Sequence, residues 1–250
     1  MRVTAQAADR IRRRLSLVDW AVIETLARVD VASAGQLRRL HWADPSQART
    51  ARRRLGQLTD LRVVSRLDRR VGGVRAGSDG YVYRLDVTGR RLLGLPSGRR
   101  PHTPGRTFLD HSLAITEIYV RVTEASRVDT IEVTDFQTEP RCWRTWGAGH
   151  LKPDAYLVTV TPEFEDHWFL EVDRATEATS TIVRKAAVYE QYHRTGIEQD
   201  TVGVFPRVLW TVPHERRRSQ LVDALGIRPA AAWSLHQVAI ESDIPNNFNP

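Results

Sequence analysis

The segment Gly94–Arg106, GLPSGRRPHTPGR, holds three prolines and three glycines with almost no apolar side chains. Such a stretch cannot bury a core and reads as a linker or long loop. The 250-residue chain therefore divides there into two folding units instead of building one continuous core. The charge changes sign at the same place. Residues 1–106 carry 23 Arg against 9 Asp and Glu, and residues 107–250 carry 14 Lys and Arg against 21 Asp and Glu. The overall +7 thus conceals +14 before the segment and −7 after it. A GC-rich codon usage explains why all basic residues except Lys152 and Lys185 are arginine, but it cannot make one half basic and the other acidic. The division expected is a basic domain over 1–93, a linker over 94–106, a second domain over 107–241 and a polar, flexible tail over 242–250. A basic half joined to an unlike one suggests a polyanion-binding module coupled to a second activity.

Several classes are excluded early. Cys142 is the single cysteine, so neither an internal disulfide framework nor a Cys-based zinc finger is available. No apolar run approaches the roughly 18 to 20 residues that span a bilayer, and the basic N-terminal cluster has no apolar stretch behind it. A soluble cytoplasmic protein with no membrane partner is expected. No HxH pair occurs among the histidines, so the usual His-cluster relaxase metal site is missing, and the lack of P-loop, GxSxG and GxGxxG motifs argues against a nucleotide cofactor and against an ATPase, an α/β-hydrolase or a dinucleotide enzyme.

Before the linker the pattern reads helix, helix, helix, hairpin, short helix. Ser16 and Asp19 form a capping box ahead of a stripe of Leu17, Trp20, Ile23 and Leu26. Ser33 caps a second helix, and Ser46 is expected to cap a third whose inward side is Ala48, Ala51, Leu55, Leu58 and Leu61. Two β-rich runs, VVSRLD and YVYRLDV, flank the glycine-rich loop RRVGGVRAGSDG. Three helices and a hairpin make the plan of a winged helix-turn-helix. With the third helix oriented by its apolar side, Arg49, Thr50, Arg52, Arg53 and Gln57 face outward. They offer charge to phosphates and polar atoms to base edges of double-stranded DNA. Arg69, Arg70 and Arg75 belong to the wing, within reach of an adjacent backbone. The competing reading of these arginines is a solvated helix face.

After the linker a helix over about 110–125 leads into strands near 130–136, 155–160 and 168–172. A helix over 179–194, a strand over 208–212 and a helix over 215–225 follow. This order of elements is that of restriction-endonuclease-like α/β domains, so the fold expected for the whole chain is α+β. Pro153-Asp154 opens one strand and Glu171-Val172-Asp173 ends the next, a spacing that resembles the PD-(D/E)xK signature of metal-dependent nucleases. Asp154 and Glu171 on neighbouring strands can converge on Mg²⁺ or Mn²⁺, with Glu117 of the preceding helix as a further carboxylate. Hard oxygen ligands suit such ions, which activate water and neutralise phosphate charge. Asp173 stands where that signature has lysine, as a catalytic carboxylate or as half of a structural ion pair with Arg174. Lys185, on the next helix, can supply the amine from a shifted position; Lys152 is the other one available. Tyr189 and Tyr192 share the helix of Lys185. Trp143 and Trp146 are readable as a base-stacking platform or as packing residues.

The strings TARRRLGQLTDL, YRLDVTGRRLL, DHSLAITEIYV, LKPDAYLV, FLEVDRATE and FPRVLWTVP together resemble the replication-relaxation family of plasmids and other mobile elements. That family joins a winged helix to a restriction-endonuclease-like domain and is similar to MOB-C type relaxases. The resemblance implies metal-binding or catalytic roles for Asp154, Glu171 and Asp173, with His111 and Glu117 nearby. Two functions follow. One is a DNA-binding endonuclease or relaxase that nicks DNA with Mg²⁺ or Mn²⁺. The other is a non-catalytic regulator or replication accessory whose nuclease-like domain serves as a scaffold, for instance for a homodimer.

Overall fold

The computed structural model describes residues 4–70, 80–96, 105–128, 131–229, 233–244 and 246–248. The chain is α+β and forms two compact units, Met1–Val120 and Arg121–Pro250.

In the first unit α1 (Ala5–Arg12), α2 (Leu17–Val29), β1 (Val31–Ser33), α3 (Ala34–His41) and α4 (Ala48–Asp60) precede the strands β2 (Val64–Arg70) and β3 (Tyr81–Leu85). A short α5 (Val87–Leu92) follows, and then α6 (Arg106–Ala125) begins. Helix α2 starts where its capping box dictates. The Ser16 N–H donates to Asp19 Oδ2 at 2.6 Å and the Asp19 N–H to Ser16 Oγ at 3.4 Å. Ser33 and Gln36 form the same reciprocal pair at the start of α3. Ser46, expected to cap the third helix, does not. A 3-10 turn over Pro45–Gln47, capped by the Asp44 side chain accepting from the Ser46 N–H at 2.8 Å, feeds directly into α4. The turn offers its carbonyls to the first N–H groups of α4, as in the Ala48 N–H donating to the Pro45 carbonyl, so no side-chain cap is required.

Strands β1, β3 and β2 form an antiparallel sheet in that order. Gly89 in α5 lies so close to the Val63 carbonyl oxygen that a Cβ would clash with it. Only glycine lets this short helix sit on the strand. Val31, Leu67, Val82, Leu109 and Leu113 form one buried cluster, and the Thr116 hydroxyl donates to the Val31 carbonyl at 2.7 Å. The first turns of α6 thus complete the core of the first unit, which runs on past the expected linker to Val120.

The second unit is built on a five-stranded sheet of β4 (Glu132–Thr138), β7 (Ala155–Val160), β8 (Glu165–Val172), β9 (Arg207–Val212) and β10 (His236–Ile240), ordered β10-β9-β8-β7-β4. Between β4 and β7 lies a small hairpin, β5 (Arg144–Trp146) with β6 (Gly149–Leu151). Strands β4, β7 and β8 pair antiparallel, while β8, β9 and β10 are parallel. Parallel neighbours need crossover helices; α7 (Thr179–Arg194) and the short α8 (Ile197–Val202) join β8 to β9, and α9 (Glu215–Gly226) leads on to β10. Strands β7 and β9 are buried along nearly their whole length and β8 over Trp168–Val172, so β7 and β9 read as near-continuous apolar runs, not as alternation.

Tyr156, Val158, Phe169, Val208, Trp210 and Val212 pack with Ile182, Ala186 and Tyr189 of α7 and with Leu221 and Leu225 of α9. Side chains two apart on a strand share a face. Asp154, just before Tyr156, and Glu171 and Asp173, following Phe169 in steps of two, are therefore directed to this same helix-covered side. At the C-terminus, where the composition predicts a flexible polar tail, Ile244 and Phe248 are buried, and Phe248 meets the Trp168 ring edge-on at 5.2 Å.

Candidate functional site

The carboxylates of the second unit come together because two adjacent strands deliver them to one end of the sheet. Asp154 is fixed by its backbone N–H donating to the Leu170 carbonyl at 3.0 Å and by Oδ2 accepting from the Val172 N–H at 2.7 Å. Glu171, only 2% exposed, accepts from Lys185 Nζ at 3.1 Å through Oε2 and from the Tyr189 hydroxyl at 2.7 Å through Oε1. Lys185 and Tyr189 are four apart, so α7 presents both from one face. The lysine thus reaches the carboxylate from the helix after the strand. The Tyr189 contact was missed; its signal was the i,i+4 spacing to Lys185 on a buried helix face.

Electrostatics mark this cluster. Burial, and then the neighbouring Asp154 charge, push the Glu171 carboxyl up to about 8, against the opposing pull of Lys185 and Tyr189. Burial opposes the charge on Lys185, but Glu171, Asp154 and Glu177 outweigh it and raise its pKa. Tyr189 is held well above its ordinary value by burial and by Glu171, so it serves as a hydrogen-bond donor and not as a phenolate. A buried carboxyl raised by a second carboxylate beside it is a site whose repulsion a cation relieves. Each Glu171 oxygen accepts one hydrogen bond and keeps a further lone pair. The donor set is hard oxygen, which fits Mg²⁺ or Mn²⁺.

Asp173 has a different environment. Arg217 of α9 grips it with Nε at 2.5 Å and Nη2 at 3.2 Å, both partners being buried. Arg217 Nη2 also donates to the Glu177 carbonyl at 2.6 Å, and Asp173 Oδ1 accepts from the Ala175 N–H at 3.1 Å. Asp173 thus ties the end of β8 to α9. Arg174, the ion-pair partner considered from sequence, bonds Glu241 instead. Glu117 is held within the first unit, accepting from Gln36 Nε2 at 3.1 Å and from Arg39 Nη1 at 2.6 Å. His111 sits half-buried in α6.

In the first unit, Ala51, Leu55 and Leu58 of α4 are buried, while Arg49, Thr50, Arg52, Arg53 and Gln57 are all exposed. One arginine of the run behaves differently. Arg54 forms a bidentate pair with the fully buried Asp19, joining α4 to the capped start of α2, and donates to Gln57 Oε1 at 2.9 Å. Burial alone would raise the Asp19 pKa, but the Arg54 and Ser16 hydrogen bonds overcome it and hold the carboxyl below its ordinary value. Arg75, expected from the sequence to lie in a wing, falls outside the described residues, as do the side chains of Arg69 and Arg70.

The two tryptophans separate. Trp146 stacks on Tyr192 at 4.9 Å and covers Gly149, where a Cβ would collide with its ring; it is a packing residue. Trp143 remains 37% exposed. No helix among the described residues is long and apolar enough to cross a membrane. Compared with known proteins, residues 23–208 match the family model described as replication-relaxation. No curated protein and no solved structure matches the chain.

Proposed function

The chain belongs to the replication-relaxation family, and from that premise we propose that it is a two-part DNA-acting protein of a plasmid or other mobile element. The first unit works as a winged helix-turn-helix. Its α3 and α4 form the helix pair, α4 enters the major groove, and the β2–β3 hairpin is the wing. The exposed polar side of α4 and the +14 charge of residues 1–106 support this.

The second unit works as a PD-(D/E)xK endonuclease-like domain that nicks DNA. The observation that carries this reading is Lys185 Nζ at 3.1 Å from Glu171, with Asp154 close enough to raise the Glu171 pKa. Asp154 and Glu171 would hold a divalent ion, which supplies Lewis-acid neutralisation of the scissile phosphate and activation of a water. Tyr189 fixes the Glu171 carboxylate, and Lys185 keeps a charged ammonium beside it for a phosphate oxygen. Asp173, absorbed by Arg217, orients α9 and takes no part in the chemistry.

The test is nicking of supercoiled plasmid with Mn²⁺ by the wild type, Asp154→Ala and Glu171→Ala. Activity confined to the wild type is expected, and equal nicking by all three would refute the site. The engagement of Asp173 by Arg217, where the signature has lysine, favours a second reading: a non-catalytic DNA-binding regulator on a nuclease-like scaffold. It predicts no nicking by the wild type together with intact binding to double-stranded DNA.

A further inference from the structure

Trp143 and Lys152 are cross-strand neighbours one step beyond the Arg144↔Leu151 pair of the β5–β6 hairpin, and Lys152 Nζ lies 4.6 Å from the centre of the Trp143 ring. Both are exposed, in a unit whose Trp168 and Trp210 are completely buried. The hairpin beneath them is firmly held. Arg144 pairs with the buried Glu198 at 3.0 Å and donates to the Cys142 carbonyl at 2.9 Å, and Trp146 packs on Tyr192. The Cys142 thiol donates to the Pro153 carbonyl at 3.0 Å, fixing the strand next to Trp143 against the residue that precedes Asp154. A partly exposed indole with an ammonium over its ring is therefore held on tied backbone, two residues from a site carboxylate.

We propose that Trp143 and Lys152 form a platform for an unpaired nucleotide of the DNA strand being processed, with a base stacked on the indole and its phosphate against the ammonium. Charge complementarity selects this occupant: a polyanion satisfies Lys152, while every base offers a π-face to Trp143 whatever the sequence. The inference rests on the second unit acting on DNA and gives that site its substrate class, a strand with unstacked bases and not an intact duplex.

The experiment is fluorescence anisotropy of labelled oligodeoxythymidylate and of a labelled duplex with the full chain in EDTA, using wild type, Trp143→Ala, Trp143→Phe and Lys152→Ala. Stacking of about 1–3 kcal/mol per base corresponds to a roughly 5- to 150-fold weaker single-strand affinity for Trp143→Ala. Trp143→Phe should recover most of the affinity, and duplex binding should change by less than about twofold, because the duplex is held by phosphate contacts elsewhere. Lys152→Ala should weaken single-strand binding and flatten its salt dependence. Unchanged single-strand affinity in Trp143→Ala, equal losses for single strand and duplex, or a Phe variant as weak as the Ala variant would overturn the proposal. Binding is read without metal, so a failure of nicking leaves this outcome independent. A wild type that binds no single strand sinks the platform and leaves the nicking assay standing.

Discussion

Replacing Glu171 by Gln probes the stored repulsion at the sheet end directly. An exposed glutamate gives up its proton near 4.5, whereas Glu171 in the folded protein keeps it to about 8. Between these values unfolding releases a proton, so this residue's contribution to stability is fully present below 4.5 and is lost as pH rises through about 8. At about 1.4 kcal/mol per pH unit, the gap sets a ceiling on the order of 5 kcal/mol. The replacement amide cannot ionise, and Lys185 keeps Asp154 and Glu177 as compensating charges. The variant and the wild type should therefore have similar stability near about pH 5, and the variant should gain by several kcal/mol toward about pH 9. Thermal melts in EDTA across that range read this as a widening gap of roughly 3 °C per kcal/mol. Adding Mn²⁺ at the alkaline end should raise the wild-type midpoint more than that of the variant, because only the wild type has two charged carboxylates for the ion to neutralise. Parallel curves, or a Gln variant that falls below wild type as pH rises, would refute the reasoning.

Arg217→Met should destabilise the second unit by about 3–5 kcal/mol in urea unfolding, because it strands a buried Asp173 charge. Adding Asp173→Val should restore most of the loss, and a single variant as stable as wild type would contradict the clamp. Gly89→Ala should cost about 1–3 kcal/mol despite the usual gain of alanine in a helix, since its methyl group meets the Val63 carbonyl; a stabilised variant would show that α5 can shift. Arg49→Ala with Arg53→Ala should weaken duplex binding and flatten the dependence of affinity on salt, and an unchanged slope would remove α4 from the DNA interface.

Much of the secondary structure was legible because its signals are local. The Ser16–Asp19 box and the Ser33 cap place two helix starts, and the apolar runs at 155–160 and 208–212 are the signature of central strands. Shorter elements escaped. Strand β1 has three residues and no periodicity to read, and the β5–β6 strands are equally short. Both exist only through the partners they pair with. The linker composition at 94–106 pointed to a division, but the compact first unit extends to Val120 because Leu109, Leu113 and Thr116 pack on β1. Composition carries no information about which core a helix face will join.

The site divides along the same line. The residue types, the strand ends and the scarcity of lysine are properties of the string, and they named Asp154, Glu171, Asp173 and Lys185 alike, with Glu117 as a further acid. Which partner each acid meets is a matter of packing. Glu171 and Asp173 share a strand face by simple alternation, yet one meets Lys185 and Tyr189 from α7 and the other meets Arg217 from α9. Local sequence sets the direction in which a side chain leaves its strand. Only the packing of helices 14 to 44 residues further along the chain decides whether it meets the Lys185 amine or the Arg217 guanidinium.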